Sequence, residues 1–184
     1  MKNTLDEIRL AAFILLTVAG TTLHCPAQVK ETQGMRRDSL IAAAREVMGA
    51  QKYCALITVD SSGQPHARTM NPFPPEEDMT VWIATNSRSR KVREIQNNAR
   101  VCLYYADHSK AVGYVAIVGK AIVVDDMSEK LKRKRDYWDQ AFPDWKYLVL
   151  IKVVPERLEV LNYAHGMLND PVTWRAPSVD FDRK

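Results

Sequence analysis

The stretch Trp82-Ile83-Ala84-Thr85-Asn86-Ser87-Arg88-Ser89-Arg90-Lys91-Val92 decides how this chain is read. Its first residues are apolar and β-branched enough for a strand ending near Thr85. A short helix follows from about Ser89 to Asn98. Arg88, Arg90 and Lys91 crowd the helix start. That is an unfavourable place for cations, because a helix N-terminus already carries partial positive charge. The arrangement makes sense where an anion is bound by free backbone N–H groups and the cations together. Arginine adds paired hydrogen bonds to phosphate oxygens, lysine a point charge, and Ser87 or Ser89 a hydroxyl. The competing reading is that these cations pair with Glu94 or face water, as surface charges often do.

Upstream, Gln64-Pro65-His66-Ala67-Arg68-Thr69-Met70-Asn71 reads as a strand that places Arg68 among small and apolar residues. It forms a hairpin with Tyr53 to Asp60 through the turn Ser61-Ser62-Gly63. Ala55, Ile57 and Val59 share one face of the first of these strands. Arg68 should neighbour Thr85 and supply a further contact to the same anion. Other expected strands are Met79 to Thr85, Val101 to Ala106, Val112 to Val124 with a bend or bulge at Gly119, and Tyr147 to Val154, with Arg157 to Leu161 resuming the sheet after Pro155. Asp38 reads as the N-cap of a helix carrying Leu40, Ile41, Ala44, Val47 and Met48 at helical spacing, stopped by Gly49. Met127 to Gln140 reads as one charged helix with Leu131 and Trp138 buried and the basic run Lys130 to Arg135 on a solvated face. The expected fold class is mainly β with helical caps: six or seven antiparallel strands closing into a barrel. No strand is followed by GxGxxG, which argues against a doubly wound dinucleotide fold.

The 184 residues, 46% apolar and 26% charged, suit one domain with a core. A net charge of +4 with scattered basic residues suits a small anion better than nucleic acid. The apolar run Leu10 to Leu23 is shorter than the roughly 20 residues of a membrane span and resembles the core of a secretory signal. Cleavage is expected after Ala27, giving an exported chain with no stable membrane span. Lipidation at Cys25 is the alternative, a poorer fit because bulky, polar His24 precedes it. Residues 28–37 form an expected polar leader, residues 38–161 the domain, and residues 162–184 an extended tail containing Trp174. Cys54 and Cys102 are read as small apolar residues in strands, with a disulfide as the alternative, and no spacing of Cys or His points to a metal. No catalytic acid or base stands out; His66 and His108 qualify by residue type only.

Arg68-Thr69-Met70, Ala84-Thr85-Asn86, Ser89-Arg90-Lys91, Asn98-Ala99-Arg100-Val101 and Gly119-Lys120-Ala121, in that order, resemble the flavin-binding split barrel of the pyridoxamine 5′-phosphate oxidase superfamily. Phe142-Pro143 and Val154-Pro155-Glu156-Arg157 resemble its general stress protein 26 branch, and the likeness spans about Leu40 to Val160. The resemblance implies a homodimer with FMN at the subunit interface. By position, Arg90 and Lys91, with Ser89, would hold the FMN phosphate, and Arg68 the phosphate or ribityl chain. The backbones of Thr69, Met70, Ala84 and Thr85 would lie along the ribityl chain and ring. Trp174 would either reach the other subunit's flavin or pack in a core or interface. Phe73 stands where the oxidases of vitamin B6 phosphates carry a substrate-binding lysine, and Tyr114 where they carry a flavin-contacting glutamine. Nor does Met127 to Gln140 show their substrate-phosphate tyrosine, arginine and serine, so the substrate is expected to differ. The implied function is a flavin-dependent oxidoreductase. The alternatives are a non-catalytic flavin- or haem-binding module and a structural partner protein using the aromatic tail.

Overall fold

The computed structural model describes residues 26–181. The expected signal segment falls outside the described residues except for Pro26 and Ala27, and Cys25 lies outside them altogether. Helix α1 spans Pro26–Gly49 and takes in the stretch read as a leader, so Asp38 sits inside the helix and not at its start. Nothing breaks the helix between Pro26 and Asp38, and Gly49 ends it as the spacing predicts. Leu40, Ala43, Ala44, Val47 and Met48 are buried, so the helix caps the barrel interior with a 3.6-residue stripe.

The strands are β1 (Cys54–Val59), β2 (Pro65–Met70), β3 (Val81–Asn86), β4 (Arg100–Ala106), β5 (Gly113–Val124), β6 (Leu148–Asn162) and β7 (Ser178–Asp180). They form one antiparallel sheet in the order β2-β1-β4-β5-β6-β3, with β7 on β6. In β1 the core side is Cys54, Leu56 and Thr58, while Ala55, Ile57 and Val59 lie on the half-exposed side. Leu56, Ile83, Leu103, Ile117, Ile151 and Leu158 fill the interior. The sheet curls until β2 and β3 approach each other. They meet at a single bridge, Pro72 to Ile83, where Phe73 N–H donates to Trp82 O at 2.8 Å. Beyond that bridge the two edge strands leave an open seam, so the barrel is split.

Strand β6 is continuous where two strands were expected. Pro155 has no N–H to give the ladder, yet it is accommodated because the β5–β6 register shifts between Val118 and Gly119. Gly119 lies opposite Pro155, and a Cβ on it would fall 2.1 Å from Val154 O. The bulge expected at Gly119 is thus present, and the close approach of two backbones requires glycine there.

The charged segment after β5 is not one helix. It divides into α3 (Met127–Lys132) and α4 (Trp138–Ala141). Here α2 denotes the helix Arg90–Asn97 between β3 and β4. The break follows from side chains of the basic run leaving the helix path. Arg133 lies 3.8 Å over the Trp82 ring and pairs with Glu76 at 2.6 Å, and Arg135 donates to Pro72 O at 2.7 Å. The run is therefore solvated only in part: Lys130 is buried and the Arg133 side chain is 8% exposed, whereas Lys132 and Lys134 remain exposed. Leu131 is exposed, contrary to expectation, whereas Trp138 is fully buried. Trp138 centres a second core with Phe73, Phe142 and Trp145, each edge-to-face with it at 5.8–6.4 Å.

The tail, expected to be extended, passes through a short helical turn at Tyr163–His165 and a turn at Asp170 before it pairs with the sheet as β7. Val179 is buried opposite Leu158, and the Arg37 guanidinium lies 4.9 Å from the Phe181 ring. Trp174 does not pack in the core; it is 77% exposed. Cys54 and Cys102 are free. Cys54 faces the interior, whereas Cys102 is paired with Ile57 on the opposite side of the sheet, so the two cannot bridge.

Candidate anion site across the barrel seam

Helix α2 packs against β1 and β5 and is tied by side chains to both edges of the seam. Val92, Glu94 and Ile95 are its buried residues, so its apolar stripe carries one carboxylate into the interior. Arg68, on edge strand β2, reaches that carboxylate from one side at 2.8 Å. Lys91 reaches edge strand β3 from the other, donating to Thr85 Oγ1 at 2.9 Å.

Glu94 is the hub. It is 4% exposed, accepts a hydrogen bond from the Thr58 hydroxyl, and lies 3.0 Å from Arg90 Nε. Arg68 also donates to Thr58, so Arg68, Thr58 and Glu94 close a triangle. Burial alone would raise the Glu94 carboxyl, but the Thr58 hydroxyl and the Arg68 and Arg90 guanidinium groups outweigh it and hold the pKa below the usual carboxylate range. The Lys91 ammonium is shifted down, first by burial and then by the positive charge of Arg68. One carboxylate thus faces three cations, and the local charge is strongly positive.

The turn before α2 is built by Asn86. Its side chain accepts from Arg88 N–H at 2.9 Å, and its carbonyl accepts from Ser89 N–H at 3.0 Å. Ser89 occupies the N-cap with extended backbone, φ −68° and ψ 148°, but its side chain makes no capping bond. Its Oγ is buried and has no hydrogen-bond partner among the described residues. Such a hydroxyl is costly unless something completes it. N–H groups in a helix's first turn lack intrahelical acceptors. An anion held at Ser89, Arg90 and Lys91 satisfies all of these groups at once. Arg88 is turned away from this focus. It stacks on Tyr147 at 3.9 Å and donates to its hydroxyl at 2.5 Å.

Of the residues singled out in the sequence, Arg68, Thr85, Ser89, Arg90 and Lys91 come together. Met70 and Ala84 border the same seam, half-buried, on β2 and β3. The Thr69 side chain is exposed on β2, whose only strand partner among the described residues is β1, so some of that strand's backbone groups face away from the sheet. Glu94 and Thr58 are the residues that sequence reasoning undervalued. The spacing of Arg90 and Glu94, and the position of Glu94 beside Val92 and Ile95, are the signals that identify the first. Nothing in the sequence ties Thr58 to either. His66 pairs with Asp60 at 2.9 Å, and His108 stacks on Tyr104 at 6.2 Å. Neither contact places a histidine in the cationic cluster.

Comparison with known proteins agrees with this architecture. Residues 40–162 match the family model described as pyridoxamine 5′-phosphate oxidase. Similar solved structures include general stress protein 26 from Bacillus anthracis, 24% identical over 65% of this chain and 92% of that one, with a TM-score of 0.57. Another is a Clostridium acetobutylicum protein related to general stress protein 26, 18% identical over 78% and 95%, with a TM-score of 0.63. A heme binding protein from Mycobacterium smegmatis shares the fold at 13% identity, over 75% and 56%, with a TM-score of 0.56. No curated protein sequence matches the chain. The match over residues 40–162, on a split antiparallel barrel, makes this chain a member of the pyridoxamine 5′-phosphate oxidase family.

Proposed function

We propose that this protein binds FMN, with the phosphate at the start of α2 and the flavin along the seam between β2 and β3. The observation that carries this reading is the buried Ser89 Oγ, without a partner among the described residues, beside two arginines that share one carboxylate and a lysine held by Thr85. Ser89, Arg90 and Lys91 hold the phosphate, and Arg68, fixed by Glu94 and Thr58, adds its charge from β2. The backbones of Thr69, Met70, Ala84 and Thr85, on the two open edges, take the ribityl chain and ring. Bound FMN supplies acceptance of a hydride or electron pair. The protein is then a flavin-dependent oxidoreductase acting as a homodimer with flavin at the interface, and residues 1–27 direct its export.

Vitamin B6 phosphates fit poorly as substrates. Phe73 carries no charge and packs edge-to-face on Trp138 at 6.1 Å. Tyr114 lies against Tyr104, with ring centroids 5.4 Å apart.

The test is to purify the full chain, saturate it with FMN, remove free flavin, and identify what remains bound by absorbance and mass. A bound flavin spectrum with a raised melting temperature supports the reading; neither appearing overturns it. Oxidation of the photoreduced flavin by acceptors faster than free FMN distinguishes an oxidoreductase from a carrier.

A further inference from the structure

The charge of this chain is concentrated in one place. Residues 86–100 run from the turn before α2 through the helix to the first residue of β4. They hold five basic residues, Arg88, Arg90, Lys91, Arg93 and Arg100, against one acidic residue, Glu94. That excess equals the net +4 of the whole chain, so the remainder balances to zero. A phosphate of about −2 charge at the start of α2 takes up only part of it.

Arg93 and Arg100 are the surplus. Both are exposed, and neither forms an ion pair among the described residues. Arg93 lies three residues on from Arg90, whose side chain is 60% exposed, and like charges at that spacing on a helix repel. Arg100 stands directly opposite Lys120 across the β4–β5 ladder, where like charges also destabilise. Lys120 is offset only by Glu156, at 3.4 Å. Two repulsive pairs are thus kept at the surface within one short stretch. Val92 and Ile95 hold the opposite side of α2 in the interior, so the cationic side is a convex helix face and not a hollow. Small anions are enclosed by concave sites, whereas a convex basic face complements an acidic protein surface. A nucleic-acid duplex would call for a denser basic stripe.

We infer that the exposed face of α2, with Arg100 and Lys120 at its end, docks the acidic surface of a small one-electron carrier protein that supplies electrons to flavin bound beside it. This role rests on the flavin reading above, whereas the docking itself needs only Arg93, Arg100 and Lys120. Redox encounters of this kind are small and steered by charge. Two reduced carriers each lose one electron and are oxidised; the flavin gains both electrons and takes one proton from water.

The test uses plant-type ferredoxin, a small acidic carrier, as the probe. Cytochrome c, a basic carrier, duplex DNA and phosphatidylglycerol vesicles are the comparisons. Calorimetry on the full chain, without and with FMN, measures binding. Ferredoxin should bind in both states, at least about tenfold more tightly at about 0.01 M than at about 0.15 M ionic strength. Arg93→Gln/Arg100→Gln should weaken it at least about tenfold, with FMN affinity unchanged and the melting temperature equal or higher. With FMN bound, reduced ferredoxin should bleach the flavin absorbance, and the double variant should slow this at least about threefold. Photoreduction should be equally fast in both. A chain that binds FMN but not ferredoxin overturns this inference alone. One that binds ferredoxin but not FMN overturns the flavin reading and, with it, the electron delivery. Docking is also refuted if the double variant binds ferredoxin as the wild type does, or if cytochrome c, DNA or vesicles bind equally well.

Discussion

Arg68 and Glu94 are joined twice, directly at 2.8 Å and again through the Thr58 hydroxyl, which takes a hydrogen bond from one and gives one to the other. The pair links edge strand β2 to α2, so one buried carboxylate both orients a cation of the site and fastens the helix.

Glu94→Gln should destabilise the fold by about 3 kcal/mol, because it leaves the guanidinium of Arg68 without its buried counter-charge. The wild-type carboxyl has a folded pKa below its unfolded value. Its contribution is therefore present above the ordinary glutamate range and is lost as pH falls through the lowered folded value. Denaturant melts between neutral and acidic pH should show the wild type losing stability on the acid side and Glu94→Gln with a flatter acid limb.

Ser89→Ala should separate stability from binding. The hydroxyl is buried without a partner, so its removal should leave the melting temperature unchanged or slightly raised. FMN affinity should fall by about 1 kcal/mol, and Lys91→Gln, which removes a charge-assisted contact, should cost about 2 kcal/mol. Flavin fluorescence titrations measure both.

Gly119→Ala should cost about 3 kcal/mol or more, because the new Cβ would meet Val154 O at 2.1 Å and Pro155 Cα at 3.0 Å. Nothing but backbone is available to move. Thermal melts, or loss of soluble protein, report the effect.

Trp138→Ala should cost about 3–5 kcal/mol by emptying the second core. Trp138→Phe should cost much less than that. The indole N–H has no hydrogen-bond partner among the described residues, so its removal leaves no acceptor unmatched. Chemical denaturation of the two variants gives the comparison.

Cys54 should resist alkylation in the native protein. Burial pushes its thiol up to about 12, and the thiolate is the reactive form. Peptide mapping after iodoacetamide should find Cys54 modified only under denaturing conditions, and no Cys54–Cys102 disulfide in oxidised samples.

Much of the barrel was legible because strand patterning and turn chemistry are local. The hairpin around Ser61-Ser62-Gly63, the long β5 strand and the bulge at Gly119 all lie where the residues point. Two of the misread elements share one cause, a long-range partner. Pro155 reads as a break until the β5–β6 register shift takes up the missing N–H. The run Lys130 to Arg135 reads as one solvated helix until Trp82, Glu76 and Pro72, distant in sequence, draw Arg133 and Arg135 out of it. Asp38 reads as a cap because its residue type favours one, but the helix had already begun at Pro26.

The sequence by itself determined that a candidate anion site stands at the start of α2. Three cations crowding a helix N-terminus conflict with the helix dipole, and that conflict is visible within a few consecutive residues. Only the tertiary structure decided which cations serve it. Glu94 gathers Arg68 and Arg90, Thr85 takes Lys91, and Tyr147 draws Arg88 aside. Those choices depend on curling the sheet until β2 and β3 flank one seam, and ion pairs and hydrogen bonds form only at distances that this closure sets.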